Sequence, residues 1–306
     1  MGLFAKPEVI ILKESTYAKE YLAKLEATLP NITGQIKEKL EKEIAITKAG
    51  IIGEENILFE LKNSSIDLVV LHDIFLETKD GRSAQIDFIV VAPKIIYLLE
   101  TKNLYGNIEI NSKGDFIRNM EYGGKWHKEG IYSPITQNQR HLEILKDASS
   151  ENKGFIKEQL FRHYYDSCHK SLIVLSNPKT IVNDKYASKE IKKKVIRADQ
   201  LVATIIQMEK ESKEPSSNKK QMKLIAESIL KIESNNRKDY FEKYQFLEEM
   251  RGAEDINLVK DTEPEKLICP KCGSELVLRI AKKGDNAGRK FYGCSNFPKC
   301  RYIRDL

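Results

Sequence analysis

At 306 residues, 41% hydrophobic and 31% charged, the chain has the balance of a soluble globular protein with room for one sizeable core and a smaller module. No apolar run approaches the ~18–20 residues of a membrane span, and the first residues lack the apolar segment and cleavage site of a signal peptide, so a cytoplasmic protein is expected. The net charge of +6 is uneven, because residues 266–306 hold ten Lys or Arg against three Asp or Glu while the remainder sums to −1; the basic end suggests contact with a polyanion.

Residues 15–28 and 35–48 are rich in Glu and Lys with spaced aliphatics, and Pro30-Asn31 separates them. They predict two helices in an N-terminal helical segment, 1–47. A further helix is expected from Gly50 to Lys62. Its Glu54 has Ile57, Leu58 and Leu61 at i+3, i+4 and i+7, so an acid points along the apolar stripe. Ile66–Thr78 reads as a long strand with a break at His72-Asp73, and Lys79-Asp80-Gly81-Arg82 as a turn.

Gln85–Val91 and Ile95–Lys102 are β-branched, apolar runs around Pro93-Lys94, which predicts two antiparallel strands. If the turn centres on Pro93 and Lys94, residues whose numbers sum to 187 face one another. Asp87 then opposes Glu100 and Gln85 opposes Lys102, with Asp87, Glu100 and Lys102 on one side. Opposed Cβ atoms lie roughly 4.5–5.5 Å apart, so the two carboxylates can reach one divalent cation, and without one they repel. The alternative is an ordinary hairpin with its charges on a solvated face, and Pro-Lys is not a favoured two-residue loop.

Ile108-Glu109-Ile110, Phe116–Tyr122 and Lys125-Trp126 predict a meander of short strands, with Trp126 a packing residue. Ser133 caps a helix that has Pro134 at its first position, and Gln137 and His141 lie four apart on one face of it. A helix (Phe155–Tyr165), a buried strand (Ser171–Ser176), a short strand (Lys194–Arg197) and a helix (Asp199–Glu209) complete an α/β body. Cys168 reads as an inert core thiol. Residues 210–265 are rich in Lys, Glu, Ser and Asn and read as a charged helical spacer, with helices at Lys219–Glu233 and Tyr240–Arg251.

Four of the five cysteines close the chain as Cys269-Pro-Lys-Cys272, 21 residues, Cys294, five residues, Cys300. That spacing predicts a structural Cys₄ zinc site in a module of residues 266–306, since thiolates close a tetrahedron of roughly 2.3 Å bonds around Zn²⁺. A disulfide pair is the alternative, disfavoured in a chain without a signal peptide. So small a module depends on its metal to fold.

Asp87 followed, a dozen residues on, by Glu100-Thr101-Lys102 resembles the PD-(D/E)xK signature of restriction-endonuclease-like nucleases. Together with Gly53-Glu54, Gln85-Ile86-Asp87 and Asn103 it closely resembles the NERD (nuclease-related) domain, over roughly residues 48–145. The resemblance implies a restriction-endonuclease-like mixed sheet flanked by helices, within an α/β domain at 48–209. It implies a metal-dependent nuclease that hydrolyses DNA phosphodiesters. Glu54, Asp87 and Glu100 would hold Mg²⁺ or Mn²⁺, with the Thr101 carbonyl as a further ligand. Lys102 would orient the attacking water or stabilise charge on the phosphate. A Pro-x-x-Gln at the start of the helix after the meander belongs to the same likeness, and implies that Gln137 orients a water or phosphate oxygen. The rival expectation is a catalytically silent DNA-binding accessory protein in repair or defence.

The terminal module, with Cys-Pro-Lys-Cys-Gly and Gly-Cys-Ser-Asn-Phe-Pro-Lys-Cys-Arg-Tyr, closely resembles the zinc ribbons of bacterial type IA topoisomerases, which implies binding of single-stranded DNA. Phe291, Tyr292, Phe297 and Tyr302 offer stacking faces, and Arg279, Arg289, Lys290, Lys299, Arg301 and Arg304 offer phosphate contacts, some of the aromatics being needed for the ribbon's own core. Single-stranded or branched DNA is the expected partner. RNA stays open, because stacking and phosphate contacts tolerate either sugar.

Overall fold

The computed structural model describes residues 6–15, 17–151, 155–242, 244, 269–280 and 290–305. The chain divides into two compact units, Met1–Phe241 and Glu242–Leu306. In chain order the first unit contains β1 (Val9–Lys13), α1 (Tyr17–Thr28), α2 (Gly34–Lys62), β2 (Leu68–Glu77), β3 (Ser83–Val91), β4 (Ile96–Lys102), β5 (Asn107–Ile110), β6 (Phe116–Tyr122) and β7 (Lys125–Ile131). It continues with α3 (Pro134–Ser150), α4 (Phe155–Cys168), β8 (His169–Leu175), β9 (Val182–Asn183), α5 (Lys189–Lys194), β10 (Val195–Arg197), α6 (Leu201–Glu211) and α7 (Lys219–Leu230).

The architecture is mixed α/β. Six strands form one sheet in the order β1-β2-β3-β4-β8-β10, with β2-β3-β4 antiparallel and the other pairs parallel. Burial on both faces explains its β-branched runs. On one face Leu68, Val70, Phe88, Val90, Tyr97 and Leu99 pack against Ile57 and Leu61 of α2 and Leu201 and Ile205 of α6. On the other, Val69, Leu71, Ile74, Ile86, Ile89 and Leu98 pack against Leu142 and Leu145 of α3, Tyr165 of α4 and Met222 and Ala226 of α7. The β3–β4 register pairs Phe88 with Leu99 and Val91 with Ile96, the expected sum of 187, but the ladder ends there, so the expected pairs Asp87–Glu100 and Gln85–Lys102 are not part of it; Asp87 accepts the Thr101 N–H and Gln85 donates to Asp73 instead. The turn centres on Pro93 and Lys94, as expected, and closes through Ala92 N–H on Ile95 O at 3.0 Å.

Several elements differ from the expectations. The helices expected on either side of Gly50 are one 29-residue helix, α2. A helical glycine costs about 1 kcal/mol against alanine, too little to stop a helix held by tertiary packing. The N-terminal segment also contributes a strand, β1, parallel to β2. Residues 219–230, expected within a spacer, pack into the core as α7. Asn218 caps α7 and Gln221 returns the bond to the Asn218 N–H at 2.9 Å. The helix expected at Tyr240–Arg251 lies almost wholly outside the described residues. Asp73 has a left-handed φ of 58°, and the inward alternation on β2 shifts there, from Val69 and Leu71 to Ile74 and Leu76 on the same face.

A second sheet, β7-β6-β5-β9, buries Ile108, Ile110 and Phe116 against Ala187 and Ile191, while β7 is exposed along nearly its whole length. In the terminal unit β11 (Leu276–Ile280), β12 (Lys290–Cys294) and β13 (Ile303–Asp305) form an antiparallel sheet. Among the described residues no helix is long and apolar enough to cross a membrane.

Candidate nuclease-like site and cysteine cluster

The acidic site gathers at the end of β4, where helices from both layers meet. From one layer, α2 presents Glu54 one residue after Gly53. A Cβ on Gly53 would lie 2.7 Å from Ser176 Oγ and 2.8 Å from Asn103 Cβ, so the absent side chain lets the helix seat on the ends of β4 and β8. Asn103 Nδ2 donates to Ala49 O at 2.7 Å and Asn56 Nδ2 to Ser176 O at 3.2 Å, fixing that seat. From the other layer, α3 begins at Pro134 with Ser133 as its cap, as expected. The buried Asn138 amide donates to Leu98 O and Leu172 O, holding α3 on the β4–β8 seam.

Within this frame the Lys102 ammonium donates to Glu100 Oε1 at 2.6 Å and to Gln137 Oε1 at 3.2 Å. Asp87, half-buried, accepts the Thr101 N–H at 2.6 Å through Oδ2. Burial, followed by the charges of Glu100 and Glu54, pushes the Asp87 carboxyl well above its ordinary range, against the pull of the Thr101 N–H and Lys102. Burial also raises Glu100; Lys102 opposes that shift and Glu54 adds to it. Glu100 Oε2 is buried with no hydrogen-bond partner. His141 Nδ1 lies 3.4 Å away, and burial with the nearby Lys102 charge pushes its pKa down to about 4, so the ring is neutral near pH 7.

Glu54 has a partner that the sequence reading missed. The Ser15 N–H donates to His72 Nδ1 at 3.3 Å, which leaves the ring proton on Nε2, 3.0 Å from Glu54 Oε2. His72 is buried and stacks on Phe88. The available signal was strand parity, since Leu68, Val70 and His72 share one face of a buried strand.

The five predicted groups, Glu54, Asp87, Glu100, Lys102 and Gln137, therefore come into one neighbourhood. An orphaned buried carboxylate oxygen among acids that disfavour one another's ionisation fits a hard divalent cation with oxygen ligands. Among the described residues, however, only the cysteines bring three or more ligand atoms to within 4.8 Å of one another. Trp126 departs from expectation. It is 69% exposed and packs into no core, because it lies on the outer strand of the second sheet.

The thiols of Cys269, Cys272, Cys294 and Cys300 are positioned to bind zinc. Sγ atoms lie 3.8 Å apart for Cys269 and Cys300 and 3.3 Å apart for Cys272 and Cys294. Tetrahedral Zn–S bonds of about 2.3 Å require about 3.8 Å between sulfurs, and a disulfide about 2.05 Å. Gly273, at φ 73°, turns its N–H back onto Cys269 O at 2.9 Å. Tyr292 and Tyr302 pack against the cysteine cluster. Phe297 is 56% exposed with the Arg279 guanidinium 5.7 Å from its ring centre. Lys299, Arg301 and Arg304 are exposed and Phe291 is half-buried. Arg289 lies outside the described residues, and Lys290 begins β12.

Comparison with known proteins agrees with this division. The nuclease-related domain (NERD) matches residues 49–176, and the topoisomerase DNA-binding C4 zinc finger matches residues 266–306. The chain is 58% identical over 46 residues to DNA topoisomerase 1 of Methanocaldococcus jannaschii, covering 15% of this chain and 5% of that one. DNA topoisomerase 1 of Mycoplasma genitalium is 34% identical over 93 residues, covering 28% and 12%. An uncharacterized protein, YrdD, of Escherichia coli is 53% identical over 38 residues, covering 12% and 18%. The chain thus spans less than a fifth of the length of each of these curated relatives. No solved structure matches it. The chain carries a nuclease-related domain and a topoisomerase-type C4 zinc ribbon.

Proposed function

We propose that the protein is a divalent-metal-dependent nuclease that hydrolyses DNA phosphodiester bonds and is anchored on single-stranded DNA by its zinc ribbon. One observation carries the reading: at the end of β4 the Lys102 ammonium bridges Glu100 and Gln137 beside a buried Glu100 oxygen that has no hydrogen-bond partner, with Asp87 seated on the adjoining Thr101 N–H. Such a cluster is costly without a function. Glu54, Asp87 and Glu100 would hold Mg²⁺ or Mn²⁺, which when bound supplies Lewis-acid polarisation of the phosphate and a more acidic water. Lys102, held by Gln137, orients the water and offsets charge on the crowded phosphate. Gln137 acts through Lys102 in this arrangement.

On the ribbon, exposed Phe297 offers a stacking face and Arg279, Arg301 and Arg304 offer phosphate contacts. A module rich in free thiols suits a reducing, cytoplasmic compartment. The nuclease-like body and the ribbon are read as separate modules, joined by the segment around residues 242–268.

A second reading, a DNA-binding accessory protein that does not cut, is favoured by one observation: Lys102 and His72 already engage Glu100 and Glu54, and among the described residues the three acids do not form a group that could hold a metal ion. Incubation of the purified protein with Mg²⁺ or Mn²⁺ separates the two. The nuclease should cut single-stranded or branched DNA, and Asp87→Ala should abolish cutting. Equal cutting by wild type and variant rejects the site, and no cutting by either leaves the accessory reading. RNA substrates in parallel establish which sugar is used. Gel shifts after deletion of residues 266–306 test the anchor: unchanged binding removes the ribbon from that role.

A further inference from the structure

Helix α3 brings to the site one cation that no described acid neutralises. Two of its side chains already touch the site: Gln137 accepts from Lys102 Nζ at 3.2 Å, and His141 Nδ1 lies 3.4 Å from Glu100 Oε2. Arg140 falls between them in the sequence. At about 100° per residue it projects about 60° to one side of Gln137, while His141 projects about 40° to the other. His141 is turned onto Glu100 and half-buried, and Arg140 is exposed.

The Arg140 guanidinium rests on an aromatic face. It lies 5.7 Å from the ring centre of Tyr132, the residue that joins β7 to the Ser133 cap of α3. The ring is itself 59% exposed, so the pair stands at the surface. A cation held over a ring gives up less freedom when it takes a ligand. Among the described residues Arg140 has no ion pair, whereas Lys146, the other permanent cation of α3, is engaged by Asp166 at 3.1 Å. The nearest acid on the outer face of α3, Glu143, lies about 60° further round, away from Gln137, and leaves Arg140 unpaired.

Charge gives such a residue its use. The site gathers three carboxyl groups, and the Lys102 ammonium is committed to Glu100 and Gln137. A phosphodiester strand that approaches it meets negative charge, and a phosphate beside the one being handled needs a cation free to turn to it. A guanidinium is always charged, and its planar fork matches two phosphate oxygens. Helix residues three apart have Cβ atoms about 5–6 Å from each other, and phosphates follow one another at a rise of about 3.4 Å. A strand with one phosphate at Lys102 therefore presents a neighbouring one on the Arg140 side.

We propose that Arg140, seated on Tyr132, binds a backbone phosphate adjacent to the one at Lys102 and so sets the register of the nucleic-acid strand in the site. The assignment rests on the reading of the Lys102 site as one that holds a phosphodiester, but its test does not require cutting.

The full-length protein, in chelator, is titrated with a labelled single-stranded oligonucleotide by anisotropy at several salt concentrations. Arg140→Ala should weaken binding about fivefold near 0.1 M salt and lower the slope of log affinity against log salt by about 0.7, the share of one phosphate contact on a single strand. Arg140→Lys should keep the slope and recover part of the affinity, since the charge stays and the fork is lost. Tyr132→Phe should bind like wild type, and Tyr132→Ala should lose about twofold at an unchanged slope. Lys146→Ala should match wild type. Wild-type affinity and slope in Arg140→Ala would overturn the proposal. So would an equal loss in Lys146→Ala, which would mark the effect as net charge alone. With Mn²⁺, Arg140→Ala should raise KM and leave kcat within about twofold. Failure of the nuclease reading appears separately, as cutting unaltered in Asp87→Ala, and failure of the phosphate contact as an unaltered salt slope in Arg140→Ala.

Discussion

His72 Nε2 lies 3.0 Å from Glu54 Oε2, and its other ring nitrogen accepts the Ser15 N–H. One strand histidine thus links a loop after β1 to an acid on α2, in a fixed tautomer. If Glu54 is a metal ligand, His72 is the group that orients it, and loss of such a partner typically costs 10–100-fold in metal affinity or activity. His72→Ala should therefore weaken Mn²⁺ binding and slow cutting by about tenfold or more, with a fold unchanged by circular dichroism. His72→Gln, which keeps a donor near the Nε2 position, should recover part of the loss. Metal titration of the three proteins checks this, and equal affinities would remove His72 from the site.

Gly53 is a second lever on the same acid. Its missing side chain seats α2 within reach of Ser176 and Asn103. Gly53→Ala gains helix propensity of about 1 kcal/mol but meets two contacts under 3 Å, and overpacking of that kind costs about 1–3 kcal/mol. Urea denaturation should show a net loss of stability, smaller in the double variant Gly53→Ala/Ser176→Ala, where one of the clashing atoms is gone. A stabilised single variant would mean that the helix can shift freely.

Local signals carried much of this site. Alternation and a breaker set the β3–β4 register, because a one-residue slip would have turned every apolar side chain outward. The Ser133-Pro134 start of α3 was legible because capping depends on adjacent residues. What escaped depended on distant partners. Strand β1 is stabilised by pairing with residues about 60 positions away, and the outward displacement of Trp126 follows from where a whole sheet docks. His72 needed both Glu54 and Ser15 to be given a role. The packing of α7 was hidden because a helix with Met222, Ala226 and Ile229 inward also carries enough lysine to pass for a spacer.

Asp73 anchors residues that had been assigned to that spacer. Arg237 donates to its Oδ2 at 2.7 Å, Gln85 to its Oδ1 at 3.0 Å, and Ser15 to Oδ2 as well. Burial alone would raise its pKa, but the Arg237 and Ser15 hydrogen bonds and the Arg237 and Lys13 charges outweigh it and hold the carboxyl below its ordinary value. A depressed folded-state pKa contributes stability that is present above the unfolded value, about 3.9, and lost as pH falls through the folded one. Asp73→Asn keeps a residue tolerant of the left-handed backbone yet strands a largely buried guanidinium, which should cost about 3 kcal/mol at neutral pH. The difference from wild type should shrink as denaturation is repeated toward pH 3. A constant difference would show that lost packing, not charge, is responsible.

The ribbon offers a metal-removal test. Four thiols at tetrahedral spacing in so small a module should carry one zinc per chain and fold with it. Chelation should release that zinc and abolish the ribbon's contribution to oligonucleotide binding, while Cys272→Ser, which removes the exposed ligand, should lower the zinc content measured by metal analysis. Retention of full binding after complete zinc loss would contradict a metal-dependent fold.

His169 gives the chain a pH dependence remote from the acids of the site. Its Nδ1 lies 2.9 Å from Tyr165 O and its ring stacks on Tyr165 at 3.7 Å. Burial pushes its pKa down to about 4, more strongly than the Tyr165 carbonyl and Asp166 raise it. The unfolded chain takes up this proton near pH 6.5 and the folded one only near pH 4, so stability falls as pH drops between those values, by about 3 kcal/mol in all. His141, held at about 4 by burial and Lys102, adds a second proton in the same window. His169→Asn retains a donor for the Tyr165 carbonyl but cannot titrate. Chemical denaturation at steps from pH 7 to pH 4 should therefore show the variant losing less stability than wild type, the two curves converging or crossing toward pH 4. Parallel curves would mean that His169 is protonated in the native state, and that the Tyr165 stack forms around a charged ring.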